Sequence, residues 1–494
     1  MKNKFYITTP IYYVNDQPHI GHAYTTVIAD VLARYYRQKL GDDNVYFLTG
    51  TDEHGVKVAE SAAKQKITPQ KFTDNISQQF KDAWQKLDIK YNDFIRTTED
   101  RHQKIVVNIL NQLKQTKTPQ GNDVLYEADY QGLYCVGCEK FITEAELVDG
   151  QCPDHKRKPE KLVEKNWFFR LGDFLPAIKK AIEADQLIIY PPGRKKEVLG
   201  LINKQNMPDF SISRPVKSVA WGIDLPWDKE QKVYVWVDAL SNYITALGYP
   251  DKELYQKFWP ADIQLLALDI LKFHALYWPA ILMVLDIPLP KGLYIHGFFK
   301  INGQKMSKSL GNVVSPNDLV KQYGSEVTKY LILSQFSFGS ESDIKINDFP
   351  AKYNADLVNG LGNLINRLTN MIEQYLDGDI GLTKKDLEKS LNISKFLSNI
   401  NQEIEELNFK LALLKIWNII STVNEEIDKN KPWELAKNND QQKLKKLLQD
   451  WTKYLYNIAV SLQPFMPQTA EHILKILTAK QIKKPVKPLF PRIN

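Results

Sequence analysis

The chain has 494 residues, 43% of them apolar and 25% charged, which excludes a disordered polymer and argues for two to four packed domains. The net charge of +7 is a mild excess that permits a polyanionic partner without demanding one. Three cysteines are too few for a disulfide framework.

The first ten residues carry no basic-then-apolar leader, and no run of about 18 uncharged apolar residues occurs anywhere. The expectation is a cytoplasmic protein with no membrane contact. Phe5 to Tyr13 is β-branched and aromatic, as a buried strand is. From His19 to Leu40, Val27, Ile28, Val31, Leu32 and Tyr35 recur on one helical face, and Gly41 stands where a helix-ending glycine belongs. Val45 to Leu48 reads as a second buried strand, and Thr68-Pro69 opens a helix towards Leu87. Strand, helix, strand, helix predicts an α/β fold with a doubly wound, Rossmann-type parallel sheet, its first half over 1–115.

Between 116 and 215 this rhythm breaks into short strands and turns, the mark of an inserted connective module. Strand and helix signals resume at Val233 to Val237 and continue through Ile263 to Leu285 and Leu293 to Phe299, so 216–349 is assigned to the second half of the α/β domain. After about Pro350 strand signals stop. Leu357, Leu361, Leu364, Leu368 and Ile372 keep helical spacing, and 350–494 reads as an all-α bundle.

Three motifs carry chemistry. Cys135-x-x-Cys138 and Cys152-x-x-His155 present four soft ligands as two short pairs, the spacing of one structural Zn²⁺ with no open coordination position. Pro18-His19-Ile20-Gly21-His22 lies between the first strand and the first helix, at the switch point where open α/β sheets bind nucleotides. A helix N-terminus there favours an anion, and Gly21 leaves room for a flat ring or a phosphate. Lys305-Met306-Ser307-Lys308-Ser309 follows the Gly303 turn, and two lysines flanked by hydroxyls suit a triphosphate. Either of the last two motifs alone would read as a chance turn or a solvated basic loop. Together, in this order, they do not.

These motifs, with Thr9-Pro10-Ile11-Tyr12-Tyr13-Val14-Asn15, Gly50-Thr51-Asp52-Glu53-His54-Gly55, Trp221-Gly222-Ile223, Tyr234-Val235-Trp236-Val237-Asp238-Ala239-Leu240 and Phe273-His274-Ala275-Leu276-Tyr277-Trp278-Pro279, run nearly end to end. The chain resembles the class I aminoacyl-tRNA synthetases and, by the segments around Trp236 and His274, the methionyl-tRNA synthetase family. The resemblance implies a methionine–tRNA ligase that forms methionyl-adenylate from L-methionine and ATP and passes the methionyl group to the terminal adenosine of tRNA(Met), initiator tRNA included. It implies that His19 and His22 act on the phosphates, and that Lys305 and Lys308 close on the leaving pyrophosphate. ATP, carrying Mg²⁺, would be held by His19, Gly21, His22, Asp269 and Lys308. Asp52 would take the substrate ammonium, and Tyr243 with the Ile11 backbone the sulfur. Tyr13, Trp236, Tyr243, His274 and Trp278 form an aromatic set with polar tips, which suits a thioether.

Asn359, Asn363 and Arg367, spaced by four, would read anticodon bases, and Trp433 would stack on one. From Lys480 the tail holds five basic residues and no acid, a candidate RNA-backbone contact. Several positions depart from the family pattern. Gln264, Ala267 and Leu268 stand where a histidine and Gly-Lys are usual, and Lys329 stands where arginine is usual. The chain also ends at Asn494, where longer relatives continue into a dimerising domain, so a monomer is expected. The competing readings are a sibling synthetase for cysteine, leucine, isoleucine or valine, or a non-catalytic tRNA-binding relative.

Overall fold

The computed structural model describes residues 3–15, 17–136, 140–142, 144, 147–153, 156–204, 207–306, 312–340, 342–392 and 395–493. The chain divides into two compact units, residues 1–18, 40–84 and 90–296, and residues 19–39, 85–89 and 297–494.

In chain order, β1 (Phe5–Tyr13) leads through helix α1 (Ile20–Leu40) to β2 (Val45–Asp52). Helices α2 (Val56–Lys64) and α3 (Pro69–Lys86) lead to β3 (Asp93–Arg96), and α4 (Asp100–Gln115) follows. Then come β4 (Leu125–Cys135), β5 (Lys140–Ile142), β6 (Glu160–Phe169), α5 (Leu175–Glu183), β7 (Ile188–Tyr190), α6 (Pro192–Asn203) and β8 (Phe210–Ser211). The first unit continues with β9 (Ser213–Pro215), β10 (Asp224–Leu225), β11 (Asp228–Val233), α7 (Val235–Leu240), α8 (Asn242–Thr245), α9 (Glu253–Phe258), β12 (Ile263–Ala267), α10 (Trp278–Val284) and β13 (Gly292–His296).

The expected parallel sheet is present, in the order β3-β2-β1-β12-β13-β7. Its central strands are mainly apolar, because both faces are covered: Phe5, Ile7, Phe47, Leu48, Leu265, Leu266 and Leu293 are at most 1% exposed, with a few buried polar residues such as Thr8 and Gln264 among them. Residues 116–215 contain an antiparallel sheet, β5-β4-β6-β8, and also β7, which joins the edge of the parallel sheet beside β13. The β-branched run at Val233 to Val237 is only briefly a strand. β11 ends at Val233, and Val235 onward is helix. Local β propensity yields there to tertiary packing, since Val235 and Val237 both enter the core.

In the second unit α1 is followed by a short sheet of β14 (Phe299–Ile301), β15 (Gln304–Lys305) and, after α11 (Pro316–Tyr323) and α12 (Ser325–Leu333), β16 (Ser342–Ile344). The rest is helical: α13 (Phe349–Lys352), a π-helical stretch over Tyr353–Gly362, α14 (Asn363–Leu376), α15 (Lys384–Asn392), α16 (Lys395–Glu405), α17 (Phe409–Asn430), α18 (Pro432–Lys437), α19 (Gln441–Leu462) and α20 (Pro467–Leu477). The predicted apolar stripe Leu357, Leu361, Leu364, Leu368 and Ile372 is fully buried. Lys329 is buried as well, with its ammonium 3.2 Å from Asp30 on α1, a carboxylate that also accepts from Arg34 at 2.8 Å. No described helix is long and apolar enough to cross a membrane.

Candidate active site

The carboxyl ends of β1 and β2 place the first group of residues. Tyr13 and Asp52 are register partners there, and Ile11 is paired with Gly50. Gly50 admits no side chain, since a Cβ would come within 2.0 Å of the Ile95 carbonyl oxygen on β3. Ile11, Tyr13 and Asp52 are all only partly buried, as residues at the mouth of a parallel sheet are.

Of the aromatic set, Tyr13 ends β1, Trp236 lies on α7, Tyr243 on α8 and His274 in the π-turn Phe273–Tyr277, and Trp278 opens α10. Trp236 lies flat on Phe273, with centroids 3.8 Å apart and planes 4° apart, and edge-on to His274 at 6.4 Å. The Tyr243 hydroxyl is 2.7 Å from His274 Nε2, and His274 Nδ1 is 3.0 Å from the Ile270 carbonyl. A carbonyl only accepts, so Nδ1 carries the proton and Nε2 accepts from the tyrosine. Burial pushes the His274 imidazole down to about 4, against the pull of that carbonyl, and burial raises the Tyr243 phenol. Trp278 is completely buried between Tyr243, at 6.0 Å, and Trp259, at 6.2 Å. It is thus a floor under Tyr243, with its indole N–H unpartnered among the described residues. Sequence reasoning passed over Phe273, although it sits one residue before His274. A flat stack between residues 37 apart leaves no spacing signal.

Asp269 lies in a single 3-10 turn, Leu268–Ile270, directly after β12. Of the unusual residues, Ala267 and Leu268 fall at that strand end, whereas Gln264 is fully buried within β12 beside Thr8 of β1. Among the described residues neither Gln264 amide atom nor the Thr8 hydroxyl has a partner.

The second unit holds the histidine motif. The imidazoles of His19 and His22 stack at 3.7 Å and 19°. His19 Nδ1 accepts from the Gly21 amide at 3.1 Å, and His22 Nδ1 from the His19 amide at 3.3 Å. Both rings are thereby fixed in tautomer with Nδ1 bare. Burial, then the neighbouring His19, holds the His22 pKa well below the usual imidazole range. At Gly21 a Cβ would press on His19 and Phe299 at 3.0 to 3.2 Å, so this turn is built for glycine. The hairpin β14–β15 turns at Asn302 and Gly303, both left-handed, and delivers Lys305. The Lys305 side chain, Ser307, Lys308 and Ser309 lie outside the described residues.

In the helical part, Asn363 donates to Asn424 at 3.3 Å, Arg367 pairs with Asp428, and Asn359 accepts from Arg492 at 2.9 Å. Asn359 falls within the π-helical stretch, which the four-residue spacing did not foretell. Trp433 on α18 is 44% exposed. At the cysteine motif, Cys135 and Cys152 are reduced and buried in one small cluster with Ile142 and Leu147. The two thiols come from different halves of the motif, and among the described residues no group of three or more His, Cys, Asp or Glu side chains is placed to hold a metal ion. Cys138 and His155 lie outside the described residues.

A family model described as tRNA synthetases class I (M) matches residues 5–160 and 155–369. A methionine–tRNA ligase of Caldanaerobacter subterraneus subsp. tengcongensis is 41% identical over 484 residues, covering 97% of this chain and 74% of that protein. One from Clostridium acetobutylicum is 42% identical over 480 residues, covering 96% and 73%. Among solved structures, Mycobacterium tuberculosis methionyl-tRNA synthetase in complex with methionyl-adenylate superposes with a TM-score of 0.90 at 32% identity over all of both chains. The free form of that enzyme gives 0.83 at 29% identity, over 100% of this chain and 99% of that one. With a family model over most of its length and relatives this similar from end to end, the chain belongs to the class I tRNA synthetases, in their methionine–tRNA ligase family.

Proposed function

We propose that the chain joins L-methionine to tRNA(Met) in two steps, with Asp52, Trp236, Tyr243 and His274 holding the amino acid. The observation that carries this reading is the Trp236–Phe273 stack beside the Tyr243–His274 hydrogen bond, in the same unit whose β2 ends on the Asp52 carboxylate. Apolar faces with two polar tips suit a thioether, and Asp52 with the register-paired Tyr13 suits the ammonium end. Ile11 contributes its backbone, and Trp278 supports Tyr243 from below.

In the first step the methionine carboxylate attacks the α-phosphate of ATP and pyrophosphate leaves. No protein nucleophile is needed, and the rate comes from positioning and charge stabilisation. His19 and His22 act as neutral donors through Nε2–H, since both Nδ1 atoms accept backbone N–H groups. Gly21 admits the nucleotide, Asp269 assists at the end of β12, and Lys305 and Lys308 stabilise the leaving group. Mg²⁺ arrives with ATP. In the second step a hydroxyl of the terminal adenosine of the tRNA attacks the methionyl carbonyl carbon of the adenylate, forming the ester, and AMP leaves. Asn359, Asn363, Arg367 and Trp433 read the anticodon. Cys135, Cys138, Cys152 and His155 hold one Zn²⁺, which contributes folding energy.

The test is pyrophosphate–ATP exchange by the purified chain. Exchange dependent on methionine is expected. No exchange above background overturns the enzyme reading, and a response to leucine or cysteine overturns the substrate.

A further inference from the structure

The first unit holds a buried polar chain to which the proposed reaction gives no part. Asp238 on α7 is 1% exposed and stands between two imidazoles. His54 Nδ1 is 2.6 Å from one carboxylate oxygen and His102 Nε2 is 2.7 Å from the other. The remaining nitrogen of His102 is 2.7 Å from the hydroxyl of Thr245 on α8. The carboxyl is ionised. Burial works to raise it, but the attraction of His54 and the hydrogen bonds from His102 and His54 outweigh that and hold it at about 2. An ionised carboxylate only accepts, so His54 presents Nδ1–H and His102 presents Nε2–H. The turn carrying His54 is also gripped from its other side. Trp221 donates its indole N–H to the Glu53 carbonyl at 2.6 Å, accepts from the Gly55 amide at 3.0 Å, and lies edge-on to the His54 ring at 5.5 Å.

The placement of this chain is what gives it a function. His54 follows Asp52 by two residues, Asp238 follows Trp236 by two, and Thr245 follows Tyr243 by two. Three of its four members therefore sit two positions beyond a residue assigned to methionine, while His102 on α4 ties them together. A buried charge is costly, and apolar side chains of similar volume would hold the same elements at least as firmly. What apolar packing lacks is direction, and charge-assisted hydrogen bonds supply it.

We propose that Asp238, clamped by His54 and His102, is the positioning residue that fixes Asp52 relative to Trp236 and Tyr243 and so sets the length of amino acid the site accepts. The inference rests on the assignment of those three residues to methionine. It gives the clamp no contact with substrate. Its currency is the spacing between the ammonium-binding and side-chain-binding ends of the site.

The test measures exchange kinetics of the full chain, with active sites titrated by the adenylate burst. His54→Leu removes the donor, whereas His54→Asn keeps an N–H close to the place of Nδ1. His102→Leu and His102→Gln do the same for Nε2. The Leu variants are expected to raise the methionine KM about tenfold, the equivalent of ~1.4 kcal/mol, with the ATP KM unchanged. They are also expected to narrow the preference for methionine over S-methylcysteine, one methylene shorter. The Asn and Gln variants are expected to restore most of both losses, and Asp238→Asn to behave like the Leu pair. Equal impairment of the Leu and donor-retaining variants, or a fall in titratable sites with both KM values unchanged, would make the network a fold element only and overturn the proposal. Asp52→Asn serves as the control. If it leaves the methionine KM unchanged, the site assignment itself fails. If it raises that KM while the histidine pairs stay flat, the clamp alone fails.

Discussion

Tyr243 and His274 share a single proton, and two consequences follow from where it sits. Because His274 Nδ1 donates to the Ile270 carbonyl, its Nε2 is an acceptor whose donor is the tyrosine hydroxyl. Tyr243→Phe strands that nitrogen in a site where His274 is only 2% exposed. The expected loss is about 1–3 kcal/mol of stability together with a raised methionine KM, checked by urea unfolding and by exchange kinetics. The second consequence concerns pH. Folding lowers the His274 pKa from the ordinary 6.5 to about 4, so between those values the unfolded chain binds more protons than the folded one. Stability is therefore full above about pH 6.5, falls as pH drops towards 4, and gains no further slope from this group below that. His22 is shifted the same way. His274→Gln is thus expected to flatten the pH dependence of the urea midpoint between pH 6.5 and 4 without abolishing it, and an unchanged slope would contradict the lowering of the His274 pKa by burial. At this scale the sequence was legible only in part. Motif segments delivered Trp236 and His274, and the resemblance added Tyr243, but the partners that orient Trp236 and His274 are Phe273, in a π-turn, and the Ile270 carbonyl, in the 3-10 turn before it, and spacing encodes neither turn.

Among the elements, the parallel sheet and the apolar stripe at the start of the helical part were readable because burial imposes a period on them. The strand runs and the Leu357-to-Ile372 series both follow it. Three features were not readable. β7 has three residues, too few for a period. The 233–237 run has strand composition, yet its helix is decided by which residues reach the core. The π-helical stretch is a backbone choice, and at its end a Cβ on Gly362 would come within 2.9 Å of the Leu357 carbonyl. Gly50 gives the sharpest test at this scale. A methyl group there meets the Ile95 carbonyl oxygen at 2.0 Å, and backbone on a neighbouring strand has no rotamer to escape into. Gly50→Ala is expected to part β2 from β3, to destabilise by about 3 kcal/mol or more, and to displace Asp52 two residues on. A variant with wild-type thermal stability would refute that packing. The cysteine motif makes a separate forecast. Cys135→Ser is expected to lower the zinc content of the protein and the thermal midpoint together, and full zinc occupancy in the variant would refute its role as a ligand.

For the molecule as a whole, the modest charge excess has its candidate use in RNA. Trp433 follows Pro432 at the start of α18 and remains 44% exposed, an unusual cost for the largest apolar side chain unless something covers it in use. Stacking of a base on an aromatic ring contributes roughly 1–3 kcal/mol, so Trp433→Ala is expected to raise the KM for tRNA by about 5- to 150-fold. Fold stability is expected to change little, because an exposed side chain has few packing contacts to lose. Pyrophosphate–ATP exchange with methionine needs no tRNA and is expected to match the wild type. The two assays on one preparation separate the possibilities. Loss of aminoacylation with exchange intact identifies a base-stacking residue. Equal loss in both identifies damage to the fold, and no loss in either leaves the exposed ring outside the RNA contact. Replacing the exposed Asn359 by alanine adds a check of sequence reading. A hydrogen-bonding residue discriminates among bases, so Asn359→Ala is expected to narrow the preference for tRNA(Met) over an anticodon-substituted tRNA, whereas Trp433→Ala weakens binding of both, because every base offers a face to stack.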